Sequence, residues 1–153
     1  MSKTDSELLN YLAGIVDGEG CIGGYSRWHS RRSFSVSVHV CMTNSIIPSM
    51  FVDRFGGHVL LEKKKTTAGK PIFRWSAFCN KAADVLEILV PYLVLKKDQA
   101  IDAITLARLH SKSAVKKLIP TGSGRRGLIS LPVSDEMFQK RLEIANRLKE
   151  RNI

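Results

Sequence analysis

The chain has 153 residues, of which 44% are hydrophobic and 25% charged, a composition typical of one globular domain with its own core. No apolar run approaches the roughly 18 residues that a membrane span needs. The first seven residues lack the apolar segment of a signal peptide, so we expect an intracellular protein of a prokaryotic cytoplasm or an organellar matrix, with no membrane partner. Three cysteines without a CxxC pair and four histidines without ligand spacing argue against a zinc site.

Basic residues exceed acidic ones by a wide margin. There are 24 Lys and Arg against 14 Asp and Glu, a net charge of +10. Residues 20–83 hold ten basic residues against Asp53 and Glu62, and residues 103–133 hold six basic residues and no acid. Such an excess favours a polyanionic partner, nucleic acid before membrane, with a merely solvated basic surface as the alternative.

The first predicted element is a helix. Thr4 and Glu7 have the spacing of a capping box, and apolar residues follow at helical intervals over residues 8–16. The Gly-Glu-Gly sequence of residues 18–20 predicts the end of this helix.

Two strands are predicted next, over residues 21–28 and 33–42, with a basic loop between them. The second segment alternates strictly between apolar and polar side chains, which indicates one buried face and one face open to water or a ligand. The apolar set is Phe34, Val36, Val38 and Val40; the polar set is Ser33, Ser35, Ser37, His39 and Cys41.

The rest of the chain reads as a helix, a hairpin and three further helices. The predicted boundaries are a helix over 46–55 capped by residues 43–45 and stopped by the glycines at 56 and 57; a hairpin of 58–64 and 71–79 turning at 67–70; helices over 80–90, capped by Asn80 and broken by Pro91, and over 97–110; a long basic loop over 111–133; and a last helix over 134–151, capped by Ser134.

This order predicts an α+β fold with one antiparallel sheet and helices on one of its faces. We expect a single domain over 1–153, with its core at about 6–110 and a C-terminal loop and helix over 111–153. The other face of the sheet is polar and basic, and such a face can enter the major groove of DNA and read base edges. A merely solvated face is the alternative.

Residues 12–20 read Leu-Ala-Gly-Ile-Val-Asp-Gly-Glu-Gly, and this segment resembles the signature motif of the LAGLIDADG homing endonucleases. The sequence Val-Pro-Tyr-Leu at 90–93, followed by Leu95 and Lys96, resembles a later proline–basic segment of the same family. The resemblance covers about residues 6–110. It implies an αββαββα core with an antiparallel DNA-binding sheet and, for members with a single motif, a homodimer.

Gly14 and Gly18 lie four residues apart in the motif, with Ala13 beside the first. Small residues at this spacing let two helices pack backbone to backbone. Packing within one chain is the alternative. Because the chain contains only one such motif, we predict that Ala13, Gly14 and Gly18 form an interface with a second copy.

Glu19 ends the motif helix, so twofold symmetry would bring two Glu19 side chains together at the dimer axis. Paired carboxylates beside a phosphodiester suit Mg²⁺, with Mn²⁺ as a substitute. The resemblance implies that Glu19 binds the metals together with the carbonyl of Gly18. We expect Asp17, two residues earlier, to be structural. The alternative for Glu19 is a plain helix-terminal charge.

The resemblance implies two further catalytic residues. Asn44 occupies a position that orders water near the scissile phosphate in the family, although it can also cap the helix that follows. Lys96 resembles the active-site lysine, which stabilises charge on the phosphate or polarises water. Lys97 is the rival residue, and a solvated lysine is the alternative. Pro48 stands where some relatives carry a further basic residue.

We expect specificity to come from the open face of the sheet and its loops. The predicted DNA-binding residues are Tyr25, Arg27, His29, Arg31, Arg32, Ser33, Ser35, Ser37, His39, Lys64, Arg74 and Ser76. Phosphate contacts without sequence information are predicted for Lys112, Lys116, Lys117, Arg125 and Arg126. Val36, Val38, Phe73 and Trp75 are assigned to the core.

These features lead to a site-specific, Mg²⁺-dependent endonuclease that acts as a homodimer on a long, nearly palindromic site in double-stranded DNA, as in intron homing. A maturase that binds its host intron RNA and a non-cleaving DNA-binding regulator are the alternatives on the same fold. The presence of both Glu19 and Lys96 argues against the regulator.

Overall fold

An antiparallel sheet with helices against it forms the body of the protein. The computed structural model describes residues 3–26, 34–63, 66–113, 116–120, 126–130 and 134–151. No helix within these ranges is long and apolar enough to cross a membrane. The described elements are α1 (Lys3–Glu19), β1 (Gly20–Ser26), β2 (Phe34–Met42), α2 (Ile46–Phe55), β3 (Val59–Leu61), β4 (Phe73–Phe78), α3 (Cys79–Leu89), α4 (Lys97–Ser113), β5 (Lys116–Pro120), β6 (Arg126–Ser130) and α5 (Asp135–Glu150).

The strands of the main sheet are ordered β1-β2-β4-β3, and every neighbouring pair is antiparallel. The elements from α1 to α3 therefore follow the predicted order αββαββα, and the α+β prediction is confirmed. The predicted hairpin turn is also confirmed, because the amide of Gly69 donates to the Thr66 carbonyl at 2.8 Å.

The prediction of a loop over 111–133 is wrong, because β5 and β6 form a second, two-stranded antiparallel sheet in this stretch. Each strand contains only two consecutive apolar residues, at 118–119 and at 128–129. The period-two alternation that reveals a half-buried strand is therefore missing from the sequence.

The core lies between the helices and one face of the sheet. Leu12 and Val16 of α1 and Val38 of β2 are fully buried there, and so is Trp75 of β4. The Trp75 indole nitrogen donates to the carbonyl of Gly56 at 3.0 Å, which ties β4 to the end of α2. The predicted core residues Val36, Val38 and Trp75 are thus confirmed, while Phe73 is only half-buried.

Side chains at the helix starts behave as predicted at two of four sites. The prediction that Thr4 caps α1 is wrong, because this helix already includes Lys3 and Thr4 lies within its first turn. Asn44 Oδ1 accepts from the amide of Ile46 at 3.2 Å at the start of α2, and Ser134 caps α5. The prediction that Asn80 caps α3 is wrong. That helix begins at Cys79, directly after β4, and Cys79 makes the change of direction with a φ of 52°.

Candidate active site and nucleic-acid interface

The two faces of α1 differ sharply in burial. Leu12, Ala13 and Val16 face the core and are fully buried, whereas Gly14 and Gly18 are exposed on the opposite side. A Cβ added at either glycine would meet no atom within 4 Å. The glycines therefore leave a shallow, open groove along the exposed face. Ala13 has no surface left for a second helix, so its placement in the interface is corrected to the core.

The C-terminal end of α1 is held by the segment that precedes α4. The ammonium of Lys96 donates to the main-chain carbonyls of Val16 and Asp17, each at 2.9 Å, and to that of Gly20 at 2.6 Å. The last turn of α1 contains no basic residue of its own. Lys96 thus supplies the positive charge that stabilises a helix C-terminus, an effect of about 0.3–1 kcal/mol for an ordinary surface group.

Asp17, in the last turn of α1, contacts in return the main chain of the segment that carries Lys96. Its two carboxylate oxygens accept from the main-chain amides of Val94, at 2.7 Å, and of Lys96, at 2.9 Å. A carboxylate at a helix C-terminus is unfavourable in the helix dipole, so these two donors explain how Asp17 is tolerated there. The structural role expected for Asp17 agrees with this geometry.

Glu19 is placed differently from Asp17. Its carboxylate is exposed and has no hydrogen-bond or ion-pair partner among the residues that the structure describes. Glu19 thus places a second acid at the unfavourable end of the helix, without the compensation that Asp17 receives.

The strand register brings the predicted catalytic residues to one end of the sheet. β1 starts at Gly20, directly after Glu19, and Gly20 pairs with Val40 near the end of β2. Asn44 follows that end of β2. On the other side of β2, Cys41 pairs with Arg74 near the start of β4. The end of α1, Asn44 and the first residues of β4 therefore share one edge of the molecule.

The face of the sheet opposite the core carries polar side chains around His39, as predicted. Register places Cys21, His39 and Ser76 side by side across β1, β2 and β4. Arg74 follows in the same row as Cys41, and its Nε contacts Cys41 Sγ at 3.2 Å and a carboxylate oxygen of Glu62 at 2.9 Å. Both contacts use Nε, so within the described residues the two Nη groups of Arg74 remain available.

Electrostatics on this face favour a neutral imidazole. Burial, together with the charge of Arg74, lowers the pKa of His39 below its usual value, although Glu62 acts in the opposite direction. Burial also raises the pKa of the Cys21 thiol, opposed by Lys96. A neutral imidazole carries one donor and one acceptor, which are the groups needed to read base edges.

Burial on this face departs from the predicted alternation at Ser35 and Ser37, which are only 2% and 8% exposed. Both belong to β2, which has a paired strand on each side, and both are short side chains. Ser35 contacts Cys79 Sγ at 3.3 Å, and Ser37 pairs with Phe78. The prediction of an open face is therefore wrong over this half of β2, and it holds only from His39 onward.

Part of the predicted interface cannot be placed. Arg27, His29, Arg31, Arg32, Ser33, Lys64 and Arg125 lie outside the described residues. The main chains of Tyr25, Lys112, Lys116, Lys117 and Arg126 are described, but their side chains are not. The DNA-binding assignments of these residues remain predictions.

Sequence reasoning missed three residues of this face. Glu62 orients Arg74 through an ion pair. Leu60 of β3 pairs with Arg74 of β4. Phe78 is 54% exposed beside Ser37. Phe78 is in phase with Arg74 and Ser76, so the same period-two pattern could have found it. Glu62 gave no such signal, because it follows β3 and its partner lies on another strand.

Compared by sequence, the chain matches no protein-family model and no curated protein. Compared by structure, it is similar to the homing endonuclease I-CvuI in complex with the I-CreI target, with a TM-score of 0.68 and 18% identity. That match covers 98% of this chain and 85% of I-CvuI. The archaeal intron-encoded homing endonuclease I-Vdi141I, complexed with DNA, gives a TM-score of 0.70 and 11% identity over 97% of this chain and 86% of that one.

A third similar structure is longer. I-SmaMI, bound to an uncleaved DNA target in the presence of calcium ions, gives a TM-score of 0.60 and 14% identity, and the match covers 93% of this chain but 43% of I-SmaMI. The chain therefore has the α+β fold of the homing endonucleases. The resemblance predicted from the motif at residues 12–20 is confirmed at the level of the fold.

Proposed function

We propose that the protein is a site-specific endonuclease that cleaves double-stranded DNA as a homodimer with divalent metal ions. The observation that carries the proposal is Glu19, an exposed carboxylate without a described partner at the end of α1, directly beside an exposed pair of glycines. The fold shared with homing endonucleases solved on DNA and the net charge of +10 support the same function.

The groove on α1 supports the homodimer. Backbone-close packing of two helices needs small residues on an exposed face, and Gly14 and Gly18 provide them without any clash inside the chain. The match to I-SmaMI covers 93% of this chain but 43% of I-SmaMI, so one copy of the described fold corresponds to less than half of that longer chain. A twofold axis along this groove would place two copies of Glu19 next to each other.

The residues at the end of α1 fit a divalent metal with hard oxygen ligands. No group of three or more metal-ligating His, Cys, Asp or Glu side chains occurs among the described residues, and Mg²⁺ is usually held by one or two carboxylates together with substrate phosphates. Two Glu19 carboxylates and two Gly18 carbonyls would supply a symmetric oxygen set. Gly18 is not among the three carbonyls that Lys96 binds. When bound, such ions activate water and stabilise charge on the scissile phosphate.

The remaining assignments follow from position. Asn44 caps α2 through Oδ1, and we assign its amide nitrogen to hold water at the phosphate. The outer face of the sheet reads bases through His39, Ser76 and Arg74. Basic side chains at the edges bind phosphates and fix the position of the duplex.

Selection followed by cleavage tests this function. Duplexes that bind the protein are first selected from a randomised library in Ca²⁺ and are then incubated with Mg²⁺. We expect a nearly palindromic consensus and cuts at symmetric positions in both strands. Glu136→Gln, which removes an exposed acid at the start of α5, is the charge-matched control for Glu19→Gln and should cut like the wild type.

The alternatives give different results in the same assay. A regulator selects a duplex consensus but leaves every duplex intact in Mg²⁺. A maturase selects no duplex consensus and instead binds its host intron RNA. Either result would overturn the nuclease assignment.

A further inference from the structure

The contacts between the segment at 94–96 and α1 surround the candidate metal ligands on both sides. Lys96 Nζ binds the carbonyl of Asp17 before Gly18 and the carbonyl of Gly20 after Glu19. One ammonium thus bridges the two peptide groups that flank these ligands. Such a bridge fixes the direction of the main chain through residues 18 and 19.

The same contacts occupy the whole donor capacity of Lys96. An ammonium has three N–H groups, and three main-chain carbonyls lie within 2.6–2.9 Å of Nζ. A lysine that contacts a phosphate or the attacking water would have to give up one of these hydrogen bonds. The described geometry therefore does not leave Lys96 as a free cation at the reacting phosphate.

We propose that Lys96 is a positioning residue, which together with Asp17 holds Gly18 and Glu19 in place for metal binding. This inference rests on the proposed nuclease function, and it replaces the direct role at the phosphate that the family resemblance implies. Asp17 acts from the opposite side, because its carboxylate holds the amides of Val94 and Lys96 and so fixes the segment that carries the lysine. The two residues form one mutual contact.

Because Lys96 and Asp17 support the same contact, we expect that removing either side chain slows cleavage in the same way. In Asp17→Asn one of the two oxygens becomes an amide NH₂, which faces a main-chain N–H and cannot accept from it. Lys96→Met keeps most of the length of the side chain and removes all three donors. We expect each variant to lower kcat and to raise the Mg²⁺ concentration for half-maximal cleavage by about 10- to 100-fold, as for outer-shell partners of metal ligands.

The double variant separates positioning from direct catalysis. Because both residues support one contact, Asp17→Asn/Lys96→Met should be no slower than the slower single variant. DNA affinity in Ca²⁺ and the pH–rate profile should stay close to those of the wild type. Lys81→Met, which removes an exposed lysine on α3, is the charge control and should cut normally.

A direct role of Lys96 gives the opposite pattern. Asp17→Asn would then cut at the wild-type rate while Lys96→Met would not, or the two losses would multiply in the double variant. Either result would overturn the proposal. Circular dichroism of each variant establishes that the fold is retained before the rates are compared.

Hydrogen exchange tests the contact without any cleavage. The amides of Val94 and Lys96 should be protected in the wild type, and in Asp17→Asn both should exchange about tenfold faster or more, since a charged acceptor is weakened. Unchanged exchange would overturn the positioning contact. A wild type that cleaves no selected duplex, with faster exchange in Asp17→Asn, would overturn the nuclease function and leave the contact itself established.

Discussion

The C-terminal end of α1 and the outer face of the sheet are built on different principles. At the end of α1, main-chain carbonyls and amides make the contacts, with Lys96 and Asp17 as their side-chain partners within the described part of the chain. On the sheet, side chains orient one another, as Glu62 and Cys41 do with Arg74. Main-chain contacts of this kind would be the same for every DNA sequence. Side chains on the sheet can be substituted one at a time, and each substitution would change which base is contacted. In the proposed function, the first region therefore carries the chemistry and the second the sequence recognition.

The largest effect is expected from Glu19→Gln, which removes the free carboxylate at the end of α1 and keeps its shape. Cleavage in Mg²⁺ should fall by at least about 100-fold, because even outer-shell partners of metal ligands cost 10- to 100-fold. Binding in a gel shift with Ca²⁺ should be retained or tighter, since a negative charge near the phosphates is lost. A variant that cuts at the wild-type rate would break the assignment of chemistry to this region.

Gly14→Leu tests whether the exposed groove on α1, next to the proposed catalytic end of the helix, is the dimer interface. Gly14 is exposed and a Cβ added there meets no atom of its own chain within 4 Å, so the monomer should fold normally. Two such side chains in a close helix pair should weaken the dimer by about tenfold or more, since overpacking costs roughly 1–3 kcal/mol. Sedimentation equilibrium measures this change.

The matched control for the groove is Asn146→Leu, which places the same side chain on the exposed surface of α5 and should leave the assembly unchanged. A wild type that sediments as a monomer with and without DNA would remove the dimer from the account.

Arg74→Ala probes the sheet, and the expected effect is smaller and confined to one base pair. With Nε held by Glu62 and Cys41, the Nη groups are oriented for a bidentate contact with guanine, which discriminates by about 1–3 kcal/mol. Binding to a library mutated at each position should lose preference at one position per half-site. Glu62→Gln should relax the same position less.

Arg108→Ala serves as the control for Arg74, because Arg108 forms ion pairs with Asp84 and Glu87 between α3 and α4. It should leave base preference unchanged. Equal weakening of all sequences by Arg74→Ala would instead make Arg74 a phosphate contact.

The smallest expected effect is on the pH dependence of thermal stability, to which His39 contributes. Because burial lowers the pKa of His39, the unfolded chain binds the proton first as the pH falls below about 6.5. The stability from the neutral imidazole is therefore complete above that pH and is lost below it. The thermal midpoint of His39→Gln should fall less between pH 7 and pH 5 than that of the wild type, whereas the exposed His58→Gln should behave like the wild type.

Much of the fold was predictable because long elements have clear periods. The alternation over residues 33–42 and the helical spacing of apolar residues over 8–16 reflect burial on one face, which a sequence records directly. The strands β5 and β6 were missed because each has only two apolar residues. The start of α3 at Cys79 was missed because a positive φ in a residue other than glycine leaves no mark in the sequence.

The candidate site was only partly predictable for a related reason. The motif identified Glu19 and the exposed glycines, but the contacts of Lys96 join residues about 80 positions apart. The burial of Ser35 and Ser37 depends on the neighbours of a central strand. Ala13 was assigned to the interface because it stands beside Gly14, although its spacing from Leu9 and Val16 places it on the buried face of the helix.

The central claim is that two copies of the end of α1 form one site, and a mixed dimer tests it most directly. Wild type and Glu19→Gln are co-expressed in varied ratios, and nicking and double-strand cleavage are both measured at constant total protein. If both Glu19 residues are needed for each cut, the sum of nicked and linear product falls with the square of the wild-type fraction, to about one quarter in an equal mixture of randomly paired chains, because the mixed dimers cut neither strand. Nicked duplex from the mixed dimers, which are about half of all dimers in that mixture, would show that each Glu19 serves a site of its own and would contradict the account.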